Sequence, residues 1–408
     1  MLHLIAWILL IGVAGGLGFW LTVAWRVRRS MRGRPTIRAG LDLPPPPGDG
    51  DRAWPRVSII VPVHNEEDLI DRSASALRAQ RYEALEIIFV LDRCTDGTAA
   101  ILQRHAKADD RIVLVENDAR PDDWAGKCHA ARLGAERAAG AYLLFTDADT
   151  VFDPDLVRAA VALAADRGIH LLSLLSTLRC TRTFERIAQP VASLTLMRMY
   201  PIERINRPRA GAGRGRPFAN GQFMLFDRAW YEKIGGHAAV KDALLEDIAL
   251  ARALHEAGGQ CGICLADGML TCSMYESSAE FELGWKRIFI EACKRKPWRL
   301  RKNALRLLAN GIALPIAQAV ALILGVMILF SYPPNLGLAL VPLTVGGWLT
   351  QLFTLMHIYG VAGAPRLAAL LYPAGSLMVA RIMFDGASDL AHRRPIPWAD
   401  REYVLEPR

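Results

Sequence analysis

The chain has 408 residues, 52% of them hydrophobic, with 49 Lys and Arg against 41 Asp and Glu and a formal net charge of +8. The length allows one large domain or two ordinary ones. The basic balance does not point to a nucleic-acid binder, because the arginine clusters flank apolar segments, where anionic lipid attracts them.

Residues Leu2 to Trp25 carry no charge and are long enough to cross a bilayer. No Lys or Arg precedes them, whereas Arg26, Arg28, Arg29, Arg32 and Arg34 follow. A cleaved signal peptide carries its positive charge first, so the expectation is an uncleaved anchor over 1–26 with the following chain in the cytoplasm. Residues 27–54 form a basic and Pro-rich linker, in which Leu43-Pro44-Pro45-Pro46-Pro47-Gly48 reads as stiff and exposed.

From Trp54 to about Glu276 strand and helix patterns alternate. Val57–Val63, Glu86–Leu91, Ile112–Val115 and Tyr142–Thr146 read as strands; Asp68–Gln80, a segment from about Thr98, and Ala125–Ala139 read as helices. Strands apolar on both faces and separated by helices predict a mostly parallel, Rossmann-like sheet covered on both sides. Ligands of such sheets sit outside the carboxyl ends of the strands. Those ends carry His64-Asn65-Glu66-Glu67, then Asp92 with Asp96-Gly97 behind it, then Asp147 and Asp149. Turn-forming preference alone accounts for Asp96-Gly97 but not for three carboxylate-bearing ends around one crevice. No GxGxxG follows the first strand, which argues against a dinucleotide fold. Asp147 and Asp149 are spaced to hold one hard divalent cation, Mg²⁺ or Mn²⁺, together with diphosphate oxygens. Asp153 is expected to cap a helix starting at Pro154. Further on, Leu245-Glu246-Asp247 places two acids at a helix start, where they also suit the helix dipole.

Four segments in order resemble the successive signatures of family 2 glycosyltransferases: Val57-Ser58-Ile59-Ile60-Val61-Pro62-Val63-His64-Asn65-Glu66-Glu67, Asp92…Asp96-Gly97-Thr98, Gly126-Lys127, and Phe145-Thr146-Asp147-Ala148-Asp149-Thr150. The resemblance implies a GT-A catalytic domain over 55–276 that uses a nucleotide-sugar donor, with a UDP-sugar expected. It implies that Pro62 and His64 border the base, Glu66 and Asp92 contact the nucleoside, Lys127 lies near the phosphates, Asp147 sits by the ribose and sugar, and Asp149 holds the metal. His64 stands where a Tyr is common, which leaves the base less determined. Ala219–Leu225 resembles the acceptor-side strand, placing Gly221 and Gln222 there, with His237 after the Tyr231–Gly236 helix end. Asp247, with Glu246 as substitute, corresponds to the base that deprotonates the acceptor.

Phe184 to about Ile205 mixes apolar residues with Arg186, Arg198 and Arg204, as an interfacial helix or a core helix with snorkelling arginines would. Arg209–Arg216 is a glycine–arginine loop suited equally to gripping phosphate and to solvation. Seven scattered cysteines are expected as free thiols, with Cys261 and Cys264 packing a strand. A basic interfacial segment over 277–303 precedes a C-terminal apolar region over 304–390, with stretches at about 304–330, 336–358 and 366–385, and a tail over 391–408. Ser331–Asn335 reads as an outer loop. Pro373, Arg381 and Asp385 in the last stretch leave spanning and kinked or re-entrant readings both open. Met274-Tyr275-Glu276, Trp285-Lys286-Arg287 and Trp398…Arg401…Tyr403 resemble the bacterial membrane-bound branch with hopene-associated and diaponeurosporenoate (carotenoid) glycosyltransferases. The QxxRW signature of processive synthases is missing. The expectation is therefore an inverting, metal-dependent, single-sugar transfer to a lipid or lipid-linked acceptor at the cytoplasmic membrane face, with no nucleic-acid partner. The alternatives are a processive polysaccharide synthase and a non-catalytic membrane scaffold.

Overall fold

The computed structural model describes residues 2–32, 36–46, 54–178, 180–206, 216–243, 245–272, 275–330, 335–398 and 401–407. Residues 209–215 of the glycine–arginine loop, 331–334 of the expected outer loop, Pro47-Gly48 and Met274 lie outside these. The chain forms two compact units.

One unit, residues 33–179 and 200–274, is built on a sheet. Its strands are β1 (Val57–Val63), β2 (Leu85–Asp92), β3 (Ile112–Asn117), β4 (Tyr142–Phe145), β5 (Thr150–Phe152), β6 (Leu171–Leu175), β7 (Thr177–Leu178), β8 (Met224–Asp227), β9 (Cys261–Leu265) and β10 (Leu270–Cys272). Seven of them pair in the order β3-β2-β1-β4-β8-β6-β9. All neighbours are parallel except β8, which runs against both β4 and β6. A second sheet has the order β5-β10-β7. β2 is buried along its whole length, as an inner parallel strand covered on both faces must be. Of its two buried acids, Glu86 accepts hydrogen bonds from Arg56 at 2.9 Å, from the Ala139 amide at 2.5 Å and from the Ser58 hydroxyl. A buried carboxylate is tolerated only with such partners.

The helix Gly126–Arg137 lies on this sheet through small residues, among them Ala130, Ala131 and Gly134. A Cβ on Gly134 would collide with Ile60 and crowd Val90, so the close approach requires glycine there. That seating brings Lys127, at the start of the helix, to the carboxyl end of β4, where Asp147 follows. The expected cap at Asp153 is replaced by a turn. The helix begins at Leu156, and Asp153 accepts from the Asp155 amide at 3.0 Å. Part of the expected linker is docked as well. Ile37–Asp42 forms a 3₁₀ turn with Ile37 and Gly40 buried, packed on the helix Leu156–Asp166.

The other unit comprises residues 1–32, 180–199 and 275–408. Residues 180–199, placed by sequence inside the 55–276 domain, cluster here instead. The helix Thr183–Met199 packs on Tyr372–Ala391, Gln189 accepts from the Trp285 indole at 3.1 Å, and Arg198 donates to Asn303 at 3.0 Å. Four helices among the described residues are long and apolar enough to cross a membrane: Leu4–Met31, Pro297–Leu329, Asn335–Val361 and Arg366–Ala391. The helix near the N-terminus packs on the two that follow the Lys294–Lys302 stretch, Leu314–Leu329 and Asn335–Val361. Pro373 follows the 3₁₀ segment Arg366–Leu371, with which the last span begins. It sits in the first turn of Tyr372–Ala391, where proline removes no intrahelical hydrogen bond.

Candidate active site

The loops that leave β1 and β2 are stitched together. Asn65, at a φ of 52°, accepts from the Thr95 amide at 2.8 Å. Glu67 accepts from the Gly97 amide at 2.7 Å, Asp96 from the Glu67 and Thr98 amides at 3.2 and 3.1 Å, and the Glu66 amide donates to the Thr98 hydroxyl at 2.8 Å. His64 Nδ1 lies 2.6 Å from the Asp92 carbonyl oxygen. Pro62 and the side chains of His64 and Glu66 are half-buried along this edge. The Asp92 carboxylate is held in place by Asn117 Nδ2 at 2.7 Å and by two nitrogens of Arg93 at 3.1 and 3.0 Å. Arg93 adopts a φ of 52°, a left-handed backbone that is uncommon outside glycine.

Lys127 ties acids from two distant parts of the chain into one cluster. Its Nζ lies 2.7 Å from Asp147 Oδ1 and 2.6 Å from Glu246 Oε1. Burial disfavours its charge, but Asp147 and Glu246 outweigh burial and hold the ammonium well above its usual range. The turn at Asn220–Phe223, just before β8, presents Gly221 to the same group. Its amide donates to Asp247 Oδ2 at 2.9 Å, and a Cβ on Gly221 would stand 3.0 Å from Lys127 Nζ. Asp247 opens the helix Glu246–Glu256, and its Oδ1 also accepts from the Ile248 amide at 2.6 Å. Burial first, then the Glu246 charge, pushes the Asp247 carboxyl up to about 7, against the opposing pull of Lys127 and the two amides. Asp92 lies near the start of the Gly126–Arg137 helix: its Oδ2 is 3.6 Å from where a Cβ on Gly126 would be.

Asp149 has a different setting. Cys272, at the end of β10, donates its thiol to Asp149 Oδ2 at 3.1 Å, and Gln222 Nε2 donates to the Cys272 sulfur at 3.1 Å. Gln222 Oε1 in turn accepts from the Ser176 hydroxyl at 2.5 Å. Burial and then the Asp147 charge raise the Asp149 carboxyl to about 6. Burial and the neighbouring Asp149 keep the Cys272 thiol protonated, well above its usual range. Asp149 Oδ1 is sealed from solvent and, among the described residues, has no hydrogen-bond partner. An orphaned, buried carboxylate oxygen next to a second carboxylate suits a cation, which would relieve both the desolvation and the mutual repulsion. Among the described residues no group of three or more His, Cys, Asp or Glu side chains converges on one point. Two carboxylates alone match a hard cation that takes its remaining ligands from water and phosphate oxygens.

Two residues expected on the acceptor side have other duties. The Gln222 amide is taken up by Ser176, Asn220 and Cys272, and the side chain is buried. His237 is buried in a ring cluster, with Nδ1 2.8 Å from the Tyr231 hydroxyl and its ring 4.7 Å from that of Phe145. Burial and then the Lys127 charge lower it to about 3, so it stays neutral and supports the wall behind Lys127. Sequence reasoning missed Arg93, Asn117 and Cys272. Asn117 ends β3 beside Asp92, a signal that strand-end reasoning could have used. Cys272 carries none, standing 123 positions from Asp149 in a three-residue strand. All seven cysteines are free thiols.

A family model described as "Glycosyl transferase family 2" matches residues 58–235. TuaG of Bacillus subtilis, provisionally described as a teichuronic acid biosynthesis glycosyltransferase, is 33% identical over 114 residues, which are 28% of this chain and 44% of that protein. A poly-β-1,6-N-acetyl-D-glucosamine synthase of Staphylococcus aureus is 30% identical over 99 residues, 24% of this chain and 23% of the synthase. The match thus spans less than half the length of either relative. Among solved structures, the mannosyltransferase PcManGT from Pyrobaculum calidifontis, in complex with GDP-Man and Mn²⁺, is 22% identical, with a TM-score of 0.48 over 86% of this chain and 98% of that one. The family match and the relatives' descriptions support a family 2 glycosyltransferase assignment for the matched region. Its α/β fold, with a mostly parallel sheet flanked by helices, is the architecture expected from the sequence.

Proposed function

We propose that this protein transfers a single sugar, with inversion, from a nucleotide-sugar donor to a lipid or lipid-linked acceptor. The observation that carries the reading is the Lys127 bridge: one ammonium 2.7 Å from Asp147 and 2.6 Å from Glu246, with Asp247 held beside them by Gly221. Acids from a strand end and from a helix start more than ninety positions later meet at one point. Direct displacement needs positive charge and a base so disposed.

In this reading the stitched loops of β1 and β2 hold the nucleoside, with Pro62, His64, Glu66 and Asp92 lining its place. Lys127 meets the diphosphate and shields it from Asp147 and Glu246. A divalent cation, Mg²⁺ or Mn²⁺, would be held by Asp149 and Asp147 and would neutralise charge on the departing diphosphate. Asp247 takes the proton from the acceptor hydroxyl as its oxygen bonds to the anomeric carbon. The bond from that carbon to the diphosphate oxygen breaks on the opposite face, so configuration inverts. With its carboxyl near 7, Asp247 ionises close to neutral pH while remaining basic enough to accept a proton. The lipid character of the acceptor is supported by four helices long and apolar enough to span a membrane. We place the protein in the cell membrane with its sheet unit cytoplasmic, because cations follow the first apolar helix and precede the second. A UDP-sugar is the proposed donor, and the carotenoid and hopene-associated branch supplies the proposed acceptor class.

A second reading, processive polymer synthesis, is favoured by the relationship to the Staphylococcus aureus synthase. One experiment separates the two. Purified full-length protein is incubated with a radiolabelled UDP-sugar, a divalent cation and a membrane lipid extract, and the products are analysed by mass spectrometry. A lipid heavier by one sugar supports the proposal. A ladder of many units supports the synthase, and no donor consumption with any nucleotide-sugar refutes both.

A further inference from the structure

The helix Pro297–Leu308 opens the apolar span 297–329 and has two unlike faces. Leu300, Ala304 and Leu307 are buried, and this face packs on Tyr372–Ala391. The other face exposes Trp298, at 56%, and Leu305, at 60%. Between Lys294 and Arg306 lie seven cationic side chains and no carboxylate. The acids nearest this stretch are engaged elsewhere: Glu291 pairs with Arg295 at 2.6 Å, and Asp389 pairs with Lys286 at 2.8 Å and Arg394 at 3.7 Å. Among the described residues, Arg301, Lys302 and Arg306 have no carboxylate partner. With Trp298, Leu305 and Ala309 they border a shallow, open and largely apolar groove of about 470 Å³ along one face of the helix. Lys302 Nζ stands 5.8 Å from the Trp298 ring centroid, and the Arg299 guanidinium is over the same ring at 5.3 Å.

We propose that this groove binds one anionic phospholipid of the bilayer, its phosphate between Arg301, Lys302 and Arg306 and its upper acyl chain against Leu305 and Ala309. The proposal rests on the membrane reading given above but not on the transfer chemistry. Charge complementarity identifies an anion, and guanidinium forks suit phosphate oxygens. The order of residues along the helix identifies a lipid rather than a soluble anion. The indole and most of the cations come first, then Leu305, Arg306 and Ala309, then the uncharged run that enters the span. At about 1.5 Å rise per residue, Ala309 lies roughly 16 Å beyond Trp298, more than the roughly 5–8 Å of one headgroup layer, so the helix is long enough to reach from headgroup to acyl chain. Tryptophan favours that boundary because one end of its ring is apolar and the other donates a hydrogen bond.

The test uses full-length protein in nanodiscs of mixed phosphatidylcholine and phosphatidylglycerol, with retained lipids counted by native mass spectrometry in the absence of donor. Wild type is expected to retain phosphatidylglycerol over phosphatidylcholine by about tenfold or more, each cation contributing roughly fivefold. The triple variant Arg301→Gln, Lys302→Gln, Arg306→Gln is expected to lose the preference, and Lys302→Arg to keep it. Equal retention of the two lipids by wild type overturns the proposal, as does a preference that survives in the triple variant. Should that variant fail to fold, wild type alone decides. The preference must weaken as salt rises from about 0.1 M to about 0.5 M, and insensitivity to salt refutes the assignment. Displacement of phosphatidylglycerol by an equal concentration of polyprenyl phosphate would make the groove an acceptor site and also overturn it. Donor binding measured by calorimetry on the same samples reports separately on the proposed transferase function.

Discussion

Replacing Asp247 by Asn keeps the shape of the side chain and removes its ability to accept and hold a proton. If Asp247 is the base, transfer should fall by about a hundredfold or more, the usual contribution of a positioned proton acceptor, while donor affinity measured by calorimetry changes little. A second consequence follows from the raised carboxyl. The Asp247 carboxyl moves from the ordinary value of 3.8 to about 7 on folding, a shift of order 4 kcal/mol between its two protonation states. Folded protein therefore holds a proton that the unfolded chain has released. The Asp247 contribution to wild-type stability is greatest below about pH 4, falls as pH rises towards 7, and levels off once the folded carboxyl has ionised. The amide cannot ionise, so Asp247→Asn should lose this part of the slope and become more stable than wild type at about pH 8. Thermal unfolding of both proteins across a pH series reads the difference. Identical slopes, or wild-type transfer by the variant, would refute the assignment of the base.

Three further outcomes are expected. Asp149→Ala should remove Mn²⁺ binding, measured by electron paramagnetic resonance, and cation-dependent turnover, with expression unchanged. Unaltered Mn²⁺ affinity would show that the cation is held elsewhere. Lys127→Met leaves Asp147 and Glu246 facing each other without a cation between them. Donor affinity should fall by about tenfold or more, and stability by about 1–3 kcal/mol, less than for a fully buried ion pair because Lys127 and Asp147 are partly exposed; calorimetry and thermal melts check both. Cys272→Ser should retain Mn²⁺ affinity because a hydroxyl still donates to Asp149, whereas Cys272→Val should lower it several-fold. Equal affinities in the two variants would show that the thiol does not orient the carboxylate.

The parts of the fold written in contiguous residues were legible. Val57–Val63 reads as a buried strand because every position suits a sheet covered on both sides, and its bounds are those of β1. The acids at the ends of β1, β2 and β4 could be placed at one edge because parallel strands of a doubly covered sheet must point the same way. The links between distant segments were not legible. The sequence suggests that Lys127 lies near phosphate, but not that it spans Asp147 and Glu246. That depends on the turn at Gly221 and the helix start at Glu246 folding onto the same edge. Gln222 and His237 sit in motifs suggestive of an acceptor, yet the Gln222 amide and the His237 Nδ1 are taken up by neighbours, a property of packing that no local pattern encodes. Residues 180–199 illustrate the same limit, since an amphipathic stretch does not say which hydrophobic surface it will choose.

The tight seat of Gly134 has a reach beyond its own turn. It lies seven positions after Lys127 on one rigid helix, about 10 Å along the axis. A single added methyl at this point would prop the helix away from Ile60 and swing the distant ammonium off its two oxygens without touching them. The catalytic cleft is therefore levelled by a spacer on its far side, and activity can be lost through substitutions that leave every charged group in place.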